Sequence, residues 1–233
     1  MSLVAAAVCP CPPLLVPAVA AGAAAELDGL REACDAAVAH LLAADAEALL
    51  VVGGGERTRR HTFPYRGTFA PFGARADFGP PDGDPLTDLS LLVGGWLLSR
   101  HDLGGRTVWF DAVAAGADPG TCARLGAEWA GRRARVALLA LGDGSACHGR
   151  TAPGYDDPRA EAYRAAVVSA LAGADPVALL GLDTTLSAEL KAAGRAAWQV
   201  LAGAVGGRPG RGAVTYDETP YGVHYAVATW SPA

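Results

Sequence analysis

The sequence predicts an α/β fold, a three-layer α/β/α sandwich whose mostly parallel central sheet ends in antiparallel C-terminal strands. Three observations carry this. Leu3–Cys9, Ala48–Gly53, Thr107–Val113 and Val136–Leu141 are near-continuous apolar runs of strand length, the pattern of strands covered on both faces. Amphipathic segments separate them, so the strands are joined by crossover helices and run parallel. At the end of the chain, Ala213–Tyr216 and Val223–Thr229 are β-rich with turn residues between them, which is a hairpin signal.

Each element has its local reason. Leu27, Leu30, Cys34, Val38 and Leu41 recur at helical spacing, as do Leu186, Leu190, Ala193, Ala197 and Leu201. The second set predicts one continuous helix. Asp84-Pro85, Asp118-Pro119, Asp157-Pro158 and Asp175-Pro176 each read as a helix start, with Asp capping exposed N–H groups and Pro at the first helical position. The stretch from Gly53 to Gly83 has no clear period and carries Arg57, Arg59, Arg60, His61, Tyr65, Phe69 and Phe72; it is either a lid over a site or a packed surface loop. No repeat or linker divides the chain, and 233 residues suffice to bury a core without disulfides or a structural metal, so residues 1–233 are read as one domain.

Charge and composition exclude several functions. The net charge is −5, and the basic residues are nearly all scattered arginines, so nucleic-acid binding, which needs a concentrated basic surface, is not expected. Mean hydropathy is +0.22. The most apolar stretch, Pro12 to Ala25, is nevertheless cut by prolines and too short to span a bilayer, so no membrane association is expected. Leu3–Cys9 follows no positive region and is too short for a signal peptide, which makes the cytoplasm the expected location. Chemically active side chains are scarce: five His, five Cys and a single lysine, Lys191.

Ligands of doubly wound sheets sit at the carboxyl ends of strands. There the sequence places Cys9-Pro-Cys11-Pro-Pro-Leu-Leu-Val-Pro17, Gly53-Gly54-Gly55, Gly142-Asp143-Gly-Ser145-Ala-Cys147-His148 and Tyr216-Asp-Glu218-Thr-Pro-Tyr-Gly222. The first, third and fourth of these, with Ala152-Pro-Gly-Tyr155 following the third, resemble in their order the class III extradiol ring-cleavage dioxygenase (LigB-like) superfamily, in particular its Memo-related and bacterial stand-alone branches. The likeness extends over nearly the whole chain. It implies a non-haem Fe(II) site of two His and a carboxylate, with a further His as acid/base, opening catechol rings with O₂.

The sequence departs from that pattern at the ligands. Cys11 stands where the first His ligand is expected, Gly53–Gly55 where the second should follow, and no His occurs until His61. Glu218 is the match to the C-terminal carboxylate, and the family's acid/base His falls on Ala146, with Cys147 and His148 one and two residues later. The resemblance therefore implies a divergent or lost metal site. In its strongest form Cys11, His61 or His148, and Glu218 hold Fe(II) or another divalent metal, His148 is the catalytic acid/base, and Gly54, Asp143 and Ser145 bind a catechol-like substrate. In its weakest form no cofactor is bound, and the chain is a non-catalytic binder of a small molecule or a protein, with Arg57, Arg59 and Arg60 offering a surface for anions. A homo-oligomer is compatible with either. A hydrolase using Ser145 or Cys147 with His148 is a third reading.

The plainer roles compete at each position. Cys11 reads first as a small buried residue, Cys9 and Cys34 read as core, and Cys122 lies in a helix with no catalytic neighbour. His40 and His101 fall near helix ends, His61 reads as solvated, and His224 alternates with Val223 and Tyr225 as structure.

Overall fold

The computed structural model describes residues 2–208 and 210–232. Its strands in chain order are β1 (Ser2–Cys9), β2 (Ala48–Gly55), β3 (Arg59–Arg60), β4 (Tyr65–Arg66), β5 (Asp84–Pro85), β6 (Thr107–Ala114), β7 (Arg135–Leu141), β8 (Gly210–Glu218) and β9 (Tyr225–Pro232). The helices are α1 (Pro17–Ala20), α2 (Asp28–Ala43), α3 (Leu89–Ser99), α4 (Pro119–Ala130), α5 (Ala160–Ala172), α6 (Pro176–Leu180), α7 (Thr184–Glu189) and α8 (Arg195–Val205).

Seven strands form the main sheet in the order β3-β6-β2-β7-β1-β9-β8. β6, β2, β7 and β1 are parallel; β9 pairs antiparallel with β1, and β8 with β9, as the C-terminal pattern predicts. The apolar runs are continuous because each strand feeds two cores. Leu50 and Val52 of β2, Leu138 and Ala140 of β7 and Val8 of β1 face α4, α5, α6 and α8. Leu49 and Val51, Leu139 and Leu141, and Ala7 and Cys9 face α2 and α3. Successive side chains alternate between the faces, so a strand buried on both sides shows no polar alternation.

The helix starts are partly as expected. Asp118 accepts the Thr121 amide at 2.9 Å, and Asp175 those of Val177 and Ala178. Asp157 accepts the amide of Arg159 just before α5. Asp84-Pro85 is the exception. It forms β5, paired in parallel with β4, and the helix begins at Leu89.

The continuous helix predicted through Leu186–Leu201 is two helices. Lys191 adopts a left-handed φ of 53°, and the chain from Leu190 to Gly194 crosses the strand ends before α8 begins. The crossing is tight: the Gly194 amide donates to Asp143 O at 2.8 Å, and a Cβ on Gly142 would lie 2.3 Å from the Gly194 Cα. An unbroken helix would drive through Gly142. Among the described residues no helix is long and apolar enough to cross a membrane.

Candidate functional site

At the carboxyl end of β1, the Cys11 amide donates to Asp143 Oδ1 at 2.7 Å, tying the first strand-end turn to the one after β7. Cys11 is buried. Burial, and then the neighbouring Asp143 charge, push its thiol well above the ordinary range, so the free side chain is a neutral thiol. Burial pushes the Asp143 carboxyl up to about 6, against the hydrogen bonds it accepts from Cys11. Asp143 serves as a clamp between two loops.

The triple glycine belongs to β2 itself. A Cβ on Gly53 would fall 2.2 Å from Ser90 Oγ, and one on Gly55 2.7 Å from the Asp88 carboxylate. Ser90 Oγ also donates to Gly54 O at 2.8 Å. The start of α3 thus lies directly on the strand and leaves no room for an imidazole.

His61 is not solvated. Its amide donates to Phe110 O, continuing the β3–β6 pairing, and the residue is only 2% exposed. In the Gly53–Gly83 stretch β3 extends the edge of the main sheet, β4 joins β5 in a separate two-stranded sheet, and Phe69 is fully buried, so the stretch is a packed surface loop rather than a lid. His61 Nδ1 lies 3.2 Å from Asp84 and 3.2 Å from the Arg59 guanidinium, while Nε2 stands 4.0 Å from Asp88 with no hydrogen-bond partner. Burial and Arg59 lower its pKa against the two carboxylates.

His148 and His224 do meet, with ring centroids 6.3 Å apart. His224 is fully buried, its Nε2 3.0 Å from Asp217, and Asp217 in turn accepts from Arg164 at 2.9 Å. Burial lowers the His224 pKa to about 4, outweighing Asp217, so the imidazole is neutral. His148 Nδ1 stands 3.9 Å from Glu161, and burial lowers its pKa too. Backbone bonds lock the knot: His148 N to Gly222 O, His224 N to Ser145 O, and Gly144 N to His224 O.

The buried Ser145 hydroxyl accepts the Cys147 amide at 3.1 Å, and the Cys147 thiol donates toward Gly154 O and Leu190 O. These partners are backbone groups, so the nucleophile–base pair of a hydrolase is not assembled. Glu218 is exposed at the end of β8 and accepts from Tyr216 at 3.1 Å.

The three expected metal ligands therefore stand apart. His61 follows β3 at one edge of the sheet and Glu218 ends β8 at the other, six strand spacings away, on the order of 30 Å. Among the described residues no three His, Cys, Asp or Glu side chains converge as metal ligands, and the donors present do not fit a two-His-one-carboxylate iron centre.

Space lies elsewhere on the same sheet end. A cavity of about 340 Å³ opens beyond β6, lined by Ala115, Gly116, Thr184, Ser187 and Ala193 together with Lys191 and Arg195. Arg195 is 2% exposed. Its guanidinium donates to Ala117 O at 2.8 Å, Ala115 O at 2.5 Å and Gln199 Oε1 at 2.7 Å. Gln199 in turn donates to Leu179 O, Leu180 O and Leu182 O at the end of α6. No carboxylate lines the cavity. Sequence reasoning missed both cations because they fall within an unbroken helical pattern; the glycine at position 194 was the available signal.

No protein-family model matches the chain, and no curated protein matches it. A solved structure does: an uncharacterized protein from Escherichia coli K12, 14% identical, aligned over 98% of this chain and 99% of that one with a TM-score of 0.55. The likeness is one of fold. It agrees with the layered sheet and carries no assignment of activity.

Proposed function

We propose that the protein is a non-catalytic binder of a small anionic metabolite, which it holds in the cavity beyond β6. The observation that carries this reading is the state of Arg195. A buried guanidinium is ordinarily paired with a carboxylate, because taking its charge out of water is costly. Arg195 instead has carbonyl and amide oxygens around it and an open cavity beside it. Lys191, the only lysine in the chain, lines the same cavity, and an anion there would neutralise both. The place is also the one at which open α/β sheets take their ligands. Arg59, part of the sequence's first suggestion for an anion surface, already holds Asp84.

Calorimetric titration with inorganic phosphate and with succinate tests the reading. At least one is expected to bind, and Lys191→Gln should weaken it about tenfold or more, about 1.4 kcal/mol. No binding of either anion, or an affinity untouched by Lys191→Gln, would overturn it. Oxygen uptake with catechol after Fe(II) reconstitution would return the chain to the dioxygenase reading.

A further inference from the structure

A second open region lies at the other end of β6. Two cavities, of about 500 Å³ and about 380 Å³, share Phe63, Tyr65 and Val108 as their common wall. The smaller chamber is almost wholly apolar, walled further by Pro64, Phe78, Leu98, Leu103 and Phe110. Its rings stand edge to face: Phe63 and Tyr65 at 5.8 Å, Tyr65 and Phe110 at 4.7 Å. The Tyr65 hydroxyl donates to Val108 O at 2.8 Å, which fixes that ring as the partition. Phe63 is 75% exposed at the mouth, an aromatic side chain with little to cover it.

The larger chamber is different in kind. Arg60 and Arg106 line it, with Trp109 and His61, and no carboxylate does. Arg106 donates to the carbonyls of Leu42, Ala46 and Leu103 and has no ion pair among the described residues. Arg60 and Arg132 share the single carboxylate of Asp111, at 3.0 and 2.6 Å, so that group retains one net positive charge. An aromatic chamber beside a cationic one, with the exposed Phe63 lining both, is complementary to a molecule with an aryl body and one anionic end.

We propose that this paired cavity is a binding site for an aryl carboxylate, with the ring beside Phe63 and Tyr65 and the carboxylate toward Arg106 and Arg60. The site is independent of the cavity proposed above for small anions. Thr107–Phe110 begins β6 and Ala115 follows its end, a strand length of on the order of 20 Å away.

The test is calorimetric titration of the full chain with 4-phenylbutyrate, 4-phenylbutan-1-ol and 4-phenylbutylamine. The acid is expected to bind at least tenfold more tightly than the alcohol, and the amine more weakly than either. Phe63→Ser, at an exposed position that folding tolerates, should weaken acid and alcohol alike. Arg106→Met and Arg60→Met should each bring the acid toward the affinity of the alcohol, the second serving if loss of Arg106 unsettles the end of α2. Lys191→Gln should leave acid binding unchanged. The proposal is overturned if the acid does not bind at millimolar concentration, if the alcohol or amine binds as well, or if Phe63→Ser has no effect. Loss of acid binding in Lys191→Gln would also overturn it, by moving the ligand to the cavity beyond the carboxyl end of β6.

Discussion

The carboxyl end of the sheet has two halves built on opposite principles. Over β1, β9 and β8, imidazoles, carboxylates and thiols are knotted together: His224 with Asp217, Asp217 with Arg164, Cys11 with Asp143, Ser145 with Cys147. Beyond β6 the lining is mostly alanine and glycine, with two cations and no carboxylate. The half rich in reactive residue types is closed by packing, although His148 Nε2 and His224 Nδ1 are buried there without a hydrogen-bond partner, whereas the half poor in them keeps room for a ligand. Chemical variety in a sequence motif marks a tightly turned loop as readily as it marks a reaction centre.

The comparison breaks most readily at Arg195. Arg195→Met should remove anion binding and cost about 3 kcal/mol in urea unfolding, since Ala115 O, Ala117 O and Gln199 Oε1 lose a buried donor. If binding survives, the open half is not the site. Next, Gly53→Ala should destabilise by about 2 kcal/mol by forcing a methyl against Ser90, and Ser90→Gly in the same chain should recover part of that. Full tolerance of the methyl would mean that α3 can lift from β2 and that the turn can open.

Asp143 tests the packed half by pH. Its folded pKa of about 6 lies above the ordinary carboxylate value of 3.8, so between pH 4 and 6 the folded chain holds a proton that the unfolded chain has released. The associated stability is present below pH 4 and lost as the pH rises through 6. Asp143→Asn keeps an oxygen for the Cys11 amide and escapes that loss. Its stability relative to the parent should therefore rise by on the order of 2 kcal/mol from pH 4 to pH 7, read by urea unfolding at each pH. A flat difference would mean that Asp143 ionises as freely as a surface carboxylate. Smallest is Glu218→Gln, which should change stability by less than about 0.5 kcal/mol and anion binding not at all, because the residue is exposed and accepts a hydrogen bond from Tyr216. A large loss of anion binding would bring the far edge of the sheet into the site.

The layers were legible because burial on both faces writes itself as unbroken apolar runs, and Leu3–Cys9, Ala48–Gly53, Thr107–Val113 and Val136–Leu141 all became sheet strands. The site was legible only as a location. Residues after strand ends were sought, but Asp143 and Ser145 spend side-chain oxygens on loop geometry, a use that composition does not distinguish from catalysis, while His148 packs beside His224 with its Nε2 buried and without a hydrogen-bond partner. His61 looked solvated because its contacts with Asp84 and Asp88 depend on β3 joining β6, a pairing of two residues that leaves no periodic trace. The helix break at Lys191 was hidden because apolar spacing persists across it, while its cause, the close pass of Gly194 over Gly142, is a contact between segments some fifty residues apart.

The order of the strands also bears on how the chain is made. β1 is synthesised before both of its sheet neighbours, β7 and β9, and neither exists until more than a hundred residues have followed it. During translation the apolar Leu3–Cys9 segment has no partner on either edge. The step that finally encloses it is a long-range closure rather than a local hairpin.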